Sequence, residues 1–333
     1  MRPVVLLVLA ACGRLGFDES TGDAPGSTAA LCNPRTVGPL TLETTELPTV
    51  VRATPVTAGY AVAIETSHRN IHVARVTSTF TLASQHTPLA ASYELGGIAA
   101  LGDAVFVHAL NTGVSYLKLL DASWNSYATV ESGDDAVADP PIALRANGTG
   151  FRVGFFGGLA KIHEMRADGT QTGVASDLFV PAIAASIAPQ AGGARVATGS
   201  SEGACETFVV GLDGRTSERH APPGSCSLPR VAVLASGRGV LVYQSATELE
   251  TIYFVPGFDP VIVAGSAARV AGIDDAAWVM LRRAGGVELH RVDESLAHQT
   301  VLLDEVTAPF DLLPTAAFWV DGATLRVGTP CLR

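Results

Sequence analysis

The sequence predicts an all-β chain of seven repeated units, and three observations carry that prediction. A short apolar strand, often entered through a proline, returns every 39 to 48 residues, with anchors at Val50, Ile98, Ile142, Ile183, Val231, Val270 and Phe310. Each copy runs into a turn, commonly glycine (Gly59, Gly102, Gly148, Gly192, Gly237), and then a second strand. Apolar content is high, with a mean hydropathy of +0.30, yet it is cut into short runs by Gly, Pro, Asp and Ser. Beyond the first residues no run approaches the roughly 18 needed for a spanning helix. Periods of 40 to 50 residues made only of strands describe the blades of a β-propeller. Seven blades are expected, with six or eight the neighbouring counts.

The elements follow in order. Inner strands fall at 48–51, 96–99, 141–143, 181–184, 229–232, 268–271 and 309–312. A proline suits the first residue of a strand, where its missing N–H costs no ladder bond. Second strands rich in β-branched and aromatic residues follow at 60–64, 105–107, 151–155, 240–243, 277–280 and 318–320. Third strands close at acidic turns in four copies: Leu120-Asp121, Asp168-Gly169, Asp213-Gly214 and Val292-Asp293. Outer strands such as 80–82 and 300–302 complete the units. Strand, glycine turn, strand, acidic turn, strand is a chain of antiparallel hairpins. The runner-up folds are a pair of β-sandwiches or a β-helix, but a β-helix needs a period nearer 20 residues.

The N-terminus carries a different message. Arg2 precedes the apolar run Val4-Val5-Leu6-Leu7-Val8, and Leu9-Ala10-Ala11-Cys12 follows. Positive start, apolar core and small residues at a cleavage point are the parts of a secretory signal. The segment resembles a bacterial lipoprotein signal with its lipobox; its alternative is a buried strand beginning at Pro3. With the repeats, the chain resembles bacterial β-propeller lipoproteins. The resemblance implies that 1–11 is removed, that Cys12 carries lipid, that 12–31 is a flexible tether, and that 32–333 is the propeller. More than one acyl chain on the cysteine would anchor it firmly to a membrane. Gly13, where an Asp would argue for inner-membrane retention, leans the expected address to the outer membrane.

With Cys12 lipidated, four of five cysteines remain, enough for two disulfides in three possible pairings. The seventh unit shows two evident strands, and residues 39–44 can supply its outer strand, closing the ring and hiding its edges. Cys32 lies just before that segment and Cys331 just after the last strand, so a Cys32–Cys331 bond would lock the ring. In the entropic model so long a loop constrains the unfolded chain by about 4–5 kcal/mol. Cys205 falls between the second and third strands of blade 4, and Cys226 in the connection from blade 4 to blade 5. Those two loop classes share one face, which places Cys205 beside Cys226.

Charge excludes one class of partner. The net charge is -10 and the only lysines are Lys118 and Lys161, so no basic patch is available for nucleic acid. The channel-facing strands are mostly Ala, Val, Ile and Gly, with Arg52, Arg145, Arg230 and Arg269 scattered among them. These arginines are expected at strand ends or beside acidic partners such as Asp274 or Asp311, because an unpaired charge in a confined place is costly. Anion binding is the sharper alternative. The adjacent Asp274 and Asp275 point to opposite sides of a strand and do not make the pair that glycoside hydrolysis needs. The richest carboxylate cluster is Glu131, Asp134, Asp135 and Asp139, whose spacing matches no calcium loop and which reads as a solvated acidic loop. His72 and His163 share a repeat position with Tyr116 and Phe208, which marks a half-buried packing position.

No catalytic, cofactor or metal residue is assigned. A ligand face is drawn from His68, Arg69, Asp134, Asp135, Glu202, His220 and Glu248. The expectation is a monomeric, lipid-anchored, extracytoplasmic binding or scaffolding module. It would recognise a protein or glycan at the cell envelope. The alternative is a glycan-processing propeller enzyme, a hydrolase or lyase.

Overall fold

The computed structural model describes residues 29–121, 123–134, 136–144, 148–156 and 159–332. Cys12, the tether up to residue 28, Asp135 and Arg145 lie outside the described residues. Every regular element described is a strand, and the strands form seven sheets. Five sheets are built from consecutive strands alone, a sixth adds one earlier strand to four consecutive ones, and the seventh joins the two ends of the chain. Seven hydrophobic clusters fill the seven gaps between neighbouring sheets, including the gap between the last and the first. The fold is the seven-bladed β-propeller that the repeat predicts.

Burial grades outward along each blade for a simple reason. The inner strands are Pro48–Val56, Glu94–Leu101, Ile142–Leu144, Ala184–Gln190, Ser227–Val233, Ser266–Ile273 and Phe310–Leu312. The second strands are sandwiched on both faces by neighbouring blades. Gly193–Gly199 and Gly239–Gln244 are therefore buried along their whole length. Strands covered on both faces read as continuous apolar runs, which explains the high hydropathy. The outer strand Thr216–His220 is exposed throughout, and His298–Leu303 alternates. Trp319 is fully buried in the cluster between blades 6 and 7. Such a side chain contributes about 2–3 kcal/mol by removal from water.

The ring closes as expected in kind but not in register. The outer strand of blade 7 is Ala29–Pro39, paired antiparallel with Thr324–Leu332 from Ala29 opposite Leu332 to Pro39 opposite Thr324. Residues 40–44 form no strand; Leu40 N donates to Ala323 O at 2.7 Å and the chain then passes to blade 1. The expected boundary at residue 32 thus falls inside the closing strand. Leu31, read as tether, is 1% exposed and packs between blades 6 and 7. Cys32 and Cys331 sit within the paired strands and are disulfide-bonded with Cα atoms 5.9 Å apart. Cys205 and Cys226 are also bonded, inside the cluster between blades 4 and 5.

One element has no counterpart in the repeat. Blade 4 has five strands, because Val137–Ala138 adds itself in parallel to the inner strand Ala184–Gln190. Val137 N donates to Ile183 O at 2.8 Å, and Asp139 N to Ala185 O at 3.0 Å. The connector from blade 2 to blade 3 therefore runs along the channel wall. Gly97 makes room for it: a Cβ there would stand 2.6 Å from Ala138 O. A Cβ on Gly96 would stand 2.3 Å from His108 Nδ1, the atom that accepts from Ala138 N at 3.4 Å.

Candidate functional site

Each inner strand crosses the channel from one face to the other, so residue order along it becomes depth. In blade 6, Ser266, Ala268 and Arg269 line a mouth cavity of about 550 Å³. Val270, Ala271 and Gly272 then line an inner cavity of about 230 Å³, and Asp274 a groove of about 800 Å³ on the opposite face. Blade 5 repeats the order with Leu228 and Arg230, then Val231 to Val233, then Leu234, Ala235 and Gly237. The mouth and the inner cavity share two lining residues, Arg230 and Arg269. These arginines form the layer that separates them.

The layer is an ion-pair network. Asp139 Oδ2 lies 2.5 Å from Arg52 Nε and 2.9 Å from Arg230 Nη2. Asp311 Oδ1 lies 3.5 Å from Arg269 Nε, and its Oδ2 accepts Ala53 N at 2.7 Å. The guanidiniums also hold main-chain carbonyls: Arg52 Nη1 donates to Val51 O at 2.8 Å and Arg269 Nη1 to Ala268 O at 2.8 Å. Arg230 Nη1 donates to Asp139 O at 3.3 Å and Pro229 O at 3.4 Å. Burial opposes ionisation of Asp139, but Arg230 and Arg52 outweigh it and hold its carboxyl below the usual range. Burial wins at Asp311, whose carboxyl is pushed up despite Arg52 and Arg269. Burial, with Arg52 and Arg230 nearby, lowers Arg269 to about 9, still cationic at neutral pH. His108, beneath the crossing strand, is lowered to about 3 by burial and by Arg152, so it is a neutral acceptor.

The structure corrects two expectations about these groups. Arg52 and Arg230 meet Asp139, not Asp274, which sits in the turn lining the far groove. Asp139 is not part of a solvated acidic loop: it is 7% exposed, on the channel wall. The extra strand of blade 4 carries it there. The apolar triplet Ala136-Val137-Ala138, interrupting an acidic stretch, is the sequence signal for that strand. Asp311, one of the two acidic partners expected for these arginines, is met by Arg269. Among the described residues no three His, Cys, Asp or Glu gather as a metal site.

The residues proposed for a ligand face are dispersed around the rim. Glu248, in the turn between the second and third strands of blade 5, lines the mouth cavity. His68 and Arg69, in the equivalent turn of blade 1, are engaged within that region. His68 Nε2 is 3.3 Å from Thr45 Oγ1, and Arg69 pairs with Glu94 at 3.0 Å. Glu202 and His220 are exposed on blade 4, and Asp134 ends the outer strand of blade 2. His72 proves fully packed, not half-buried: it is 4% exposed and contacts Glu46 at 3.3 Å.

Comparison with known proteins adds the fold and nothing finer. No protein-family model matches the chain, and no curated protein matches it. Among solved structures, BBS1N crystallised in complex with ARL6DN superposes with a TM-score of 0.55 at 12% identity. The match covers 91% of this chain and 97% of that one. The WD40 domain of Neurospora crassa Pan2 superposes with a TM-score of 0.52 at 11% identity, covering 91% and 96%.

Proposed function

We propose that the chain is a lipid-anchored extracytoplasmic scaffold that docks a protein partner on the face around the channel mouth. One observation carries the choice of face. Leu228, 38% exposed, and Leu249, 72% exposed, flank the mouth cavity whose floor is the arginine layer. Exposed Leu47 and Ile183 lie in blade connectors that open on the same side. Apolar anchors around a cationic centre make a docking surface more than a solubilising one. The propeller BBS1N, crystallised with ARL6DN, is consistent with such use of the fold. A glycan hydrolase or lyase would need a free carboxylate pair, whereas Asp139 and Asp311 are both held by guanidiniums. The anchor is Cys12, reached through the lipobox, and the address is the cell envelope, most naturally the outer membrane.

The test is co-purification from solubilised envelopes. Leu249→Glu with Leu228→Glu should abolish recovery of the partner seen with the wild type, while Phe258→Glu, in a turn of the opposite face, should not. Equal recovery by all three rejects the mouth face. Cys12→Ser should release the chain from membranes; unchanged fractionation with an intact N-terminus by mass spectrometry rejects the anchor.

A further inference from the structure

We infer that the channel mouth is a binding site for one small oxyanion, a carboxylate or phosphate group, received by Arg52 and Arg269. The inference needs no protein partner and stands apart from the docking proposal.

Three observations meet at this place. The first is a charge imbalance. Among the described residues the layer itself holds three cations, Arg52, Arg230 and Arg269, against two carboxylates, Asp139 and Asp311. The next carboxylate within electrostatic reach of Arg52 is Glu65. Glu65 is committed elsewhere, accepting Leu95 N at 2.7 Å. Burying an uncompensated guanidinium is expensive, and a bound anion removes the expense.

The second observation is donor geometry. Arg52 and Arg269 each spend Nη1 on a carbonyl and turn Nε to an aspartate. Among the described residues neither makes a hydrogen bond through Nη2, while Arg230 commits both terminal nitrogens. Two forks with one tine unused suit the paired oxygens of a carboxylate or phosphate. The third is access. Arg52 and Arg269 line the same open cavity of about 550 Å³, ample for a small ion, with polar Gln244, Thr247 and Ser266 on its walls. Glu248, exposed in a turn of blade 5, lines the same cavity.

The experiment is calorimetric titration of the purified chain with inorganic phosphate and with acetate, at neutral pH and low salt. One equivalent of either should bind. Arg269→Gln should weaken it about tenfold or more, the value of one charge-assisted hydrogen bond. Arg269→Lys, which keeps the charge and loses the fork, should also weaken it. Arg215→Gln, an exposed arginine remote from the layer, should leave it unchanged. Phosphate alone binding assigns a phosphoryl ligand, and acetate alone a carboxylate. Heat evolved equally by wild type and Arg269→Gln overturns the site, as does no binding of either ion at tens of millimolar. Should Arg269→Gln fail to melt cooperatively, a phosphate-soaked crystal of the wild type decides. Density between Arg52 and Arg269 supports the site, and its absence there overturns it.

Discussion

Asp139→Asn is the sharpest perturbation of the channel layer. The amide keeps the volume and removes the charge. In the wild type one oxygen, Oδ2, serves both Arg52 Nε at 2.5 Å and Arg230 Nη2 at 2.9 Å. All three side chains are less than a tenth exposed. Breaking a buried pair by removing one partner costs about 3–5 kcal/mol, because the other charge stays buried and unpaired. Two guanidiniums lose their partner here, so the upper half of that range applies. At about 1.5–2 °C per kcal/mol for a domain of roughly 300 residues, the melting midpoint should fall by about 6–10 °C. Urea unfolding followed by tryptophan fluorescence is a suitable assay, since Trp124, Trp278 and Trp319 are all buried. Asp321→Asn, which breaks a half-exposed pair with Arg326, is the control and should cost less than about 1 kcal/mol. A loss at Asp139→Asn no larger than at the control would refute the reasoning.

Three further outcomes follow from the same geometry. Gly97→Ala should destabilise by about 1–3 kcal/mol in the same urea assay, since its Cβ would meet the crossing strand's Ala138 O at 2.6 Å; neutrality would mean that strand does not lie there. Non-reducing peptide mapping should find Cys32 with Cys331 and Cys205 with Cys226, and a Cys32–Cys205 peptide would contradict both ring closure and blade register. Burial opposes charge on Glu46, but hydrogen bonds from Glu43 N, Asn70, Thr66 and His72 outweigh it and hold the carboxyl down to about 2. A depressed carboxyl contributes stability above its unfolded value that is lost as pH falls through the folded one. The stability gap between wild type and Glu46→Gln should therefore be widest above pH 4.5 and narrow towards pH 2. A gap that stays constant across that window rejects the assignment.

The sequence disclosed what repeats and hid what does not. Blade spacing was legible because proline-entered inner strands and glycine turns recur in every unit. Asp311 as a partner for an inner-strand arginine was legible, because both lie on inner strands near the channel. Asp139 was not, because a two-residue strand carries too little pattern to separate from its acidic neighbours. Its placement also depends on Gly97, forty-two positions earlier, lacking a side chain. The closing strand was misplaced for a related reason. Its middle contains Asn33, with φ +53°, and Pro34, and its register slips between Cys32 and Arg35. An outer strand tolerates such breaks because it contributes mostly backbone pairing, so no alternating pattern marks it. The ligand-face residues were chosen from loop class alone. Loop class gives the face but not which polar groups are already satisfied by neighbours, as His68 and Arg69 are.

The central claim is that this propeller works by docking a protein around its channel mouth. Site-specific photo-crosslinking in intact envelopes tests it most directly. A photoreactive residue is placed in turn at Leu249 beside the mouth, at Phe258 in the opposite face, and at Leu302 on an outer strand. The account predicts one discrete protein adduct from position 249 and none from 258 or 302. Adducts from 258 or 302 with position 249 silent, or the same adducts from all three, would contradict it.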